Sequence, residues 1–306
     1  MKHLLKLMDL TKEDITSILD IADQLKYELK HGIPHKLLDG KSVALILEKV
    51  STRTRVAFET GINQLGGQPL LLSKSDLQMD RGEPIQDTAR ALSRYLDGVM
   101  IRTFDQSVVD NFAKYGTIPV MNGLTDQTHP FQTLADLMTI RERFYVLDDV
   151  KICYIGDGSN VANSLIVGAL KMGMKISVAT PKGYEPNENI LRFAQSYGDY
   201  FELTDNPEQA IKDADVVATD TWISMGQENE KEVRIHDFKG YQINDALLKH
   251  AKVNVMVQHA LPATRGLEIT EEVFEAHADE IFEEAENRLH VQKAVVVKLL
   301  CKDKEN

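Results

Sequence analysis

Cysteine is nearly absent from this chain of 306 residues, which contains only Cys153 and Cys301. Cys153 lies in an apolar run typical of a strand and Cys301 lies close to the last residue. Neither cysteine has metal-ligand spacing to another cysteine or to a histidine. The sequence therefore argues against a disulfide framework and against a zinc site.

Long apolar runs and excess positive charge are also lacking. No 18 consecutive apolar residues occur and no charged-then-apolar leader begins the sequence, so we expect a cytoplasmic protein. The formal net charge of −12 argues against nucleic acid or an anionic membrane as the main partner, because either would need a basic face. An anionic substrate would have to be bound by a local cluster of donors.

The composition is typical of a soluble globular protein, with 43% hydrophobic and 27% charged residues. The length allows two domains that each bury a core. We predict an α/β fold of two Rossmann-like domains, each a mostly parallel sheet flanked by helices, with a C-terminal helix crossing back to the first domain. The predicted boundaries are 1–143 and 144–284 for the domains and 285–306 for the helix.

Anion-binding residue types cluster just after the first predicted strand, Ser42 to Leu47. Ser51 falls at a strand-to-helix turn, where unpaired N–H groups and a partial positive charge favour a phosphate. The side-chain donors of this turn are Ser51, Thr52, Arg53 and Thr54. The alternative is an ordinary capped helix whose arginines face solvent or pair with Glu48 and Glu59. Four anion donors within so short a stretch favour the binding site.

Two later segments place further donors at the same edge of the predicted sheet. Arg102 ends the apolar run that begins at Gly98, and Pro130 suits the first position of a helix next to His129 and Gln132. Ligands of open α/β sheets bind outside the carboxyl ends of the strands, so these side chains should share a rim with Ser51. The alternatives are a surface arginine and a capping or core histidine.

The second domain opens with a strand, Val150 to Ile155, that leads into a glycine-containing turn, Gly156 to Asn160. A dinucleotide-binding motif would need a third glycine where Val161 stands, and an acidic residue after the next strand where Thr180 stands. We therefore retain a Rossmann-like fold for this domain and reject NAD as a ligand.

These stretches together resemble the aspartate/ornithine carbamoyltransferase family, and the ornithine branch most closely. The matching motifs are Ser51-Thr-Arg-Thr-Arg55, Arg102-Thr-Phe104, His129-Pro-Phe-Gln132, Gly156-Asp-Gly-Ser-Asn160, Asp220-Thr-Trp-Ile-Ser-Met-Gly226, His259-Ala-Leu-Pro262 and Glu286-Asn-Arg-Leu-His290. In the family, the Asp-x-x-x-Ser-Met-Gly element distinguishes ornithine from aspartate as the acceptor.

The resemblance implies carbamoyl transfer from carbamoyl phosphate to L-ornithine without metal or organic cofactor, by a homotrimer with active sites at its subunit interfaces. Carbamoyl phosphate would be held by Ser51, Thr52, Arg53, Thr54, Gln78 of a neighbouring subunit, Arg102, His129, Gln132, Ala260, Leu261 and Arg288. Ornithine would be held by Asn160, Asp220, Ser224 and Met225. The catalytic groups would be Arg102, His129 and Thr54, which stabilise the developing oxyanion.

Two residues depart from the family pattern. Ala260 stands where ornithine enzymes usually carry a cysteine, and Phe131 stands where a threonine is usual; we expect Phe131 to point into packing. Alanine cannot accept a hydrogen bond or relay a proton, so water substitutes, activity is reduced, or the acceptor differs. Two alternatives follow: a transferase for a related amine such as putrescine or lysine, and a non-catalytic relative that binds the ligands.

Overall fold

The computed structural model describes residues 1–301, and the chain forms two compact units. The first comprises Met1–Leu134 together with residues 288–301, and the second comprises Ala135–Asn287. The division falls nine residues before the predicted boundary at 143 and three residues after the one at 284. The predicted boundaries themselves stay a prediction.

The first unit contains a parallel sheet. Its strands within the described residues are β1 (Ser42–Leu47), β2 (Gln68–Ser73), β3 (Gly98–Arg102) and β4 (Val120–Leu124), in the order β2-β1-β3-β4. β1 and β3 are buried runs of Val, Ala, Leu, Ile and Met, as expected for strands covered on both faces. The chain runs outward from β1 to β2 on one side of the sheet and outward from β3 to β4 on the other, so the topological switch point lies between β1 and β3.

Helices flank this sheet, and the first of them begins at a side-chain cap. Their bounds are α1 (Lys12–Lys30), α2 (Thr52–Gln64), α3 (Ile85–Leu92) and α4 (Gln106–Tyr115). The next helix, α5 (Pro130–Phe144), begins in this unit and continues into the second. Thr11 caps α1, since its Oγ1 accepts a hydrogen bond from the N–H of Asp14 at 3.1 Å. Ile15, Ile18 and Leu19 form the buried face of α1, as their spacing predicts.

The second unit contains a longer parallel sheet. Its strands within the described residues are β5 (Lys151–Ile155), β6 (Lys175–Ala179), β7 (Phe201–Thr204), β8 (Val216–Thr219) and β9 (Met256–His259), in the order β7-β6-β5-β8-β9. The helices are α6 (Asn160–Lys171), α7 (Glu188–Gln195), α8 (Pro207–Ile211), α9 (Lys231–Asp237), α10 (Asp245–Leu248), α11 (Glu271–Ala276) and α12 (Ala278–Leu300). The switch point of this sheet lies between β5 and β8.

The C-terminal helix α12 begins at Ala278, earlier than the predicted start at Ala285. Its first turns lie on β9: the carboxylates of Glu280 and Glu284 accept hydrogen bonds from the N–H groups of Val257 and His259 at 3.0 and 2.9 Å. Two residues along a strand and four along a helix span similar distances, about 6 to 7 Å, so the two carboxylates match alternate N–H groups.

The later part of α12 packs on the first unit, as predicted. Lys298 Nζ donates to Ser17 Oγ at 2.8 Å, and Lys293 is fully buried against Gly61 of α2. A Cβ atom at Gly61 would lie 2.9 Å from Lys293 Cγ. The absence of a side chain at position 61 therefore lets the lysine stem pass close to α2.

Lys293 is expected to make stability rise with pH above about pH 8. Its Nζ lies 2.8 Å from His35 Nε2 and 3.0 Å from Gln64 Oε1, and burial lowers the pKa of the ammonium to about 8. An unfolded lysine keeps a pKa of about 10.4, so between these values the unfolded chain binds more protons and the free energy of unfolding increases with pH. Denaturant titrations from pH 8 to about 10 should show this increase, and Lys293→Met should lack it. Parallel pH curves for the two proteins would contradict the prediction.

Candidate functional site

The turn after β1 has the predicted strand, cap and helix. Ser51 is the N-cap of α2: its Oγ accepts a hydrogen bond from the N–H of Thr54 at 3.2 Å and lies 3.1 Å from Thr54 Oγ1. Thr52 and Arg53 are exposed, whereas Thr54 is fully buried. The first turn of α2 therefore presents backbone donors and exposed side-chain donors together, an arrangement suited to an anion.

Arg102 lies beside this turn, as the shared rim predicts. In the β1–β3 register it pairs with Leu47, and its carbonyl accepts from the N–H groups of Glu48 and Lys49 at 2.9 and 3.2 Å. The Arg102 side chain is buried; its Nε donates to the Lys49 carbonyl at 3.0 Å and its Nη1 lies 3.4 Å from Thr54 Oγ1. The guanidinium is thus fixed at the switch point of the first sheet.

Arg288, on α12, also reaches Thr54. Its Nη2 donates to Thr54 Oγ1 at 2.9 Å, and its side chain is buried. The Thr54 hydroxyl therefore contacts two guanidiniums that come from residues far apart in the sequence. Such a pair of buried cations is well suited to a doubly charged anion.

Lys49 is a third buried cation near this turn, and no role is predicted for it from the sequence. Its Nζ forms an ion pair with Asp126 Oδ1 at 2.8 Å and lies 5.0 Å from the centre of the Phe104 ring. A lysine directly between an apolar strand and the Ser51 cap was the available signal. Lys49 adds positive charge to the switch point.

His129 lies buried at the start of α5, and its imidazole is held neutral. Burial, followed by the charges of Arg288, Arg102 and Lys49, places the pKa of His129 well below its ordinary value. A neutral imidazole can donate a hydrogen bond without adding a further buried charge. Gln132, one turn on, is also buried.

A buried polar network fixes the loop that leads to His129. The Gln106 Oε1 atom accepts from Thr125 Oγ1 at 2.8 Å, from Thr128 Oγ1 at 3.1 Å and from Asn122 Nδ2 at 3.3 Å. Gln106 thereby ties α4 to the end of β4 and to the loop. A buried network of this kind limits the positions open to His129.

In the second unit, Asn160 is the first residue of α6 and is buried after β5. The turn before it requires a glycine for a packing reason: a Cβ at Gly158 would lie 2.4 Å from the backbone of Tyr184 to Pro186. The Gly158 N–H donates to the Tyr184 carbonyl at 2.9 Å. Gly158 is thus needed where two backbone segments approach closely.

Asp220 follows β8, across the switch point from Asn160. It is buried, and this burial raises the pKa of its carboxyl to about 6. Ser224, four residues on, is half-buried, and its N–H donates to Gln227 Oε1 at 2.9 Å, while Met225 is exposed. Asn160, Asp220 and Ser224 therefore follow the two strands at the switch point of the second sheet, where α/β folds bind ligands.

Ala260 and Leu261 follow β9 in the same unit. The Leu261 N–H donates to His259 Nδ1 at 2.9 Å, so the ring hydrogen lies on Nε2, which is 3.0 Å from Glu268 Oε1. The side chains of His259 and Glu268 are fully buried. This contact holds the backbone on either side of Ala260, which is itself buried.

Two remaining sequence predictions concern Gln78 and Phe131. Gln78 lies exposed in a short 3-10 helix, Gln78–Arg81. In the described chain, no contact joins Gln78 to Thr54 or Arg102. Phe131 is fully buried and its ring lies edge-on to Phe58, with centroids 5.1 Å apart. The expectation that Phe131 points into packing is confirmed.

Within residues 1–301, the structure contains no helix with both the length and the apolar character needed to span a bilayer. Among the side chains that the structure describes, no three or more of His, Cys, Asp and Glu are grouped so that they could hold a metal ion.

Comparison with known proteins identifies the family. Residues 2–142 match the model of the aspartate/ornithine carbamoyltransferase carbamoyl-P binding domain, and residues 148–299 match that of the Asp/Orn binding domain. The chain belongs to the aspartate/ornithine carbamoyltransferase family. The resemblance noted in the sequence is thereby confirmed, since its motifs lie within these two matched regions.

Individual members of the family are similar over nearly their whole length. An ornithine carbamoyltransferase of Caldicellulosiruptor saccharolyticus is 55% identical, over 97% of this chain and 98% of the relative. The structure of ornithine carbamoyltransferase from Pyrococcus furiosus has a TM-score of 0.94 and 48% identity, over 99% and 98% of the two chains. That of the anabolic ornithine carbamoyltransferase from Campylobacter jejuni has a TM-score of 0.92 and 45% identity, over 98% and 99%.

Proposed function

We propose that this chain transfers the carbamoyl group of carbamoyl phosphate to the side-chain amine of L-ornithine, giving L-citrulline and phosphate. The observation that carries the proposal is the near-full-length similarity, at about half identity, to proteins named ornithine carbamoyltransferase. The same similarity does not favour putrescine or lysine as the acceptor, or a non-catalytic role.

The donor would be bound at the switch point of the first sheet. The phosphate would lie at the N-terminus of α2, held by Ser51, Thr52, Arg53, Thr54 and Arg288. Two observations support this placement: α2 begins with a capped, donor-rich turn, and Arg288 donates to Thr54 Oγ1 at 2.9 Å. The carbamoyl end would contact Arg102, His129 and Gln132.

The acceptor would be bound by residues at the switch point of the second sheet. Asn160 and the N–H of Met225 would hold the α-carboxylate, while Asp220 and Ser224 would hold the α-ammonium group. The buried Asp220 carboxyl, with a pKa of about 6, is ionised at neutral pH and pairs favourably with a cation. Putrescine has no carboxylate for the first pair of donors.

In the reaction, the neutral side-chain amine attacks the carbamoyl carbon, and a tetrahedral intermediate forms. The C–O bond to phosphate then breaks, phosphate leaves with the bonding electrons, and the amine nitrogen loses a proton. Arg102, Thr54 and His129 would stabilise the oxyanion. An amine like that of lysine has a pKa near 10.4, so its deprotonation at pH 7 costs roughly 4 to 5 kcal/mol unless nearby cations lower that pKa.

We further propose that the enzyme works in the cytoplasm as a homotrimer and supplies citrulline for arginine biosynthesis. In the trimer, Gln78 would reach the donor site of a neighbouring subunit. Its exposed position on a short 3-10 helix supports such a reach. The Campylobacter jejuni relative is named an anabolic ornithine carbamoyltransferase, and this similarity supports the biosynthetic direction.

A panel of amines tests the choice of acceptor. The purified chain is incubated with carbamoyl phosphate and L-ornithine, L-lysine or putrescine, and phosphate release above the amine-free rate is measured. L-Ornithine should give the highest kcat/KM. A higher value for putrescine would refute the proposal, and binding of carbamoyl phosphate without turnover of any amine would favour a non-catalytic relative.

Ser51→Ala is expected to lose both stability and donor affinity. Loss of a hydroxyl N-cap costs about 1 kcal/mol of stability, and the phosphate loses a donor. Thr11→Ala is a matched control, because Thr11 caps α1 with the same hydroxyl-to-N–H geometry outside the donor site. Thermal unfolding should report similar losses for the two variants, but only Ser51→Ala should raise the KM for carbamoyl phosphate. Equal KM values would show that Ser51 acts only as a cap.

A further inference from the structure

A buried arginine joins the two loops at the switch point of the second sheet. Arg234, on α9, donates from Nη1 to Asp157 Oδ2 at 3.0 Å and to the Trp222 carbonyl at 3.1 Å. Asp157 lies in the turn after β5, and Trp222 lies in the loop after β8. The side chains of Arg234 and Asp157 are both less than one-tenth exposed.

The same guanidinium is fixed on its other sides. Its Nε donates to Glu230 Oε2 at 2.8 Å, and its central carbon lies 5.0 Å from the centre of the Tyr184 ring. The Tyr184 carbonyl in turn accepts from the N–H of Gly158, in the turn that also contains Asp157. These contacts together fix the position of the Arg234 guanidinium.

The loops that Arg234 joins contain the residues proposed for the amino acid. Asn160 follows Asp157 by less than one helical turn, and Trp222 lies between Asp220 and Ser224. A displacement of either loop would change the spacing between the groups for the α-carboxylate and those for the α-ammonium. Because both groups belong to one small molecule, their spacing decides how well it binds.

We infer that Arg234 is a positioning residue for the amino-acid substrate: it holds the loop after β5 at a fixed distance from the loop after β8. This inference rests on the proposed function. Arginine suits the position because one planar group donates to a carboxylate and a carbonyl while stacking on an aromatic ring. A lysine ammonium has no planar face to stack in this way.

The test compares Arg234→Ala and Arg234→Lys with the unsubstituted protein. Arg234→Ala should raise the KM for L-ornithine roughly 10- to 100-fold, since loss of positioning by about 1 Å can have such an effect. Calorimetric binding of carbamoyl phosphate, measured without ornithine, should stay unchanged. Added methylguanidinium chloride should restore part of the ornithine affinity to Arg234→Ala, whereas KCl at the same ionic strength should not. The KM of Arg234→Lys for L-ornithine should fall between those of Arg234→Ala and the unsubstituted protein. If Arg234→Ala does not fold, Arg234→Lys serves alone as the test.

Arg192→Ala is the matched control, because Arg192 lies in the same unit and pairs with Glu188 on the exposed face of α7. Its KM for ornithine should be unchanged. If the unsubstituted protein does not carbamoylate ornithine, the proposed function fails and the inference with it. If that protein is active but the Arg234 variants keep its KM, or lose kcat and carbamoyl phosphate binding together, the inference alone is overturned.

Discussion

Replacing Arg102 with leucine is expected to lower kcat for carbamoyl transfer roughly 100- to 1,000-fold, the range seen when one preorganised oxyanion donor is removed. The guanidinium is buried and already oriented by its bonds to the Lys49 carbonyl and Thr54 Oγ1. It therefore needs no reorganisation when negative charge develops on the carbamoyl oxygen.

The same substitution should also change the pH dependence of the enzyme. Arg102 is one of three cations that hold the pKa of His129 well below its ordinary value, after the effect of burial. Without that charge the pKa of His129 should rise. As the pH is lowered, activity should therefore begin to fall at a higher pH than in the unsubstituted enzyme.

Steady-state rates of phosphate release across pH 5 to about 9 would measure both effects of the Arg102 substitution, the lower kcat and the shifted pH dependence. The kcat of Arg102→Lys, which keeps the charge but not the planar fork, should lie between those of Arg102→Leu and the unsubstituted enzyme. Arg90→Leu is the control, because Arg90 forms an exposed ion pair with Asp87 in the same unit. A kcat for Arg102→Leu within tenfold of the unsubstituted value would remove Arg102 from the oxyanion site.

Asp220→Asn is expected to lower kcat/KM for ornithine roughly 30-fold or more, since loss of one partner of a buried charge pair costs about 2 to 5 kcal/mol. The same change should make the protein without substrate more stable at pH 7. Burial raises the pKa of Asp220 to about 6, so its ionised form is unfavourable in the folded chain.

The sign of this stability effect follows from proton binding. Between the unfolded pKa of about 3.9 and the folded value, the folded chain binds more protons, so the free energy of unfolding falls as pH rises. Above about pH 6 the carboxyl is ionised in both the folded and the unfolded chain. The shift in its pKa then lowers the free energy of unfolding by about 2 to 3 kcal/mol. Asp220→Asn lacks this penalty.

Denaturant unfolding at pH 4 and pH 7 would measure the stability difference for Asp220→Asn, and ornithine kinetics would measure the loss of activity. Asp205→Asn is a suitable control, because the Asp205 side chain is exposed and pairs with the exposed Lys182 at 3.3 Å. An Asn variant that is both less stable and fully active would show that Asp220 is a structural residue.

Local sequence patterns predicted the elements around both sites well. The strand at Ser42–Leu47, the cap at Ser51 and the helix start at Pro130 all occur as predicted. Each depends on apolar runs, caps or proline geometry, which act over a few residues. The strand predicted from Val150 begins one residue later, at Lys151, because pairing with a neighbouring strand, and not hydrophobicity alone, decides where a strand begins.

The glycine turn at Gly156 to Asn160 shows where a local pattern misleads. Its spacing invites a dinucleotide-binding interpretation, which the sequence already opposed through Val161. The structure gives the physical reason for Gly158, which is close approach of the backbone at Tyr184 to Pro186. That approach joins segments that no short motif relates.

The sequence by itself determined the class of the fold, the donor-rich turn at α2 and, through ordered motifs, the family. Only the tertiary structure decided which cations meet: Arg288 reaches Thr54 across 234 residues of chain, and Arg234 joins Asp157 to the Trp222 carbonyl. Side-chain spacing along a helix or strand is fixed by backbone geometry and can be read from neighbours in sequence. The meeting of distant side chains depends on how whole elements pack, and their pKa values depend on the burial that this packing creates.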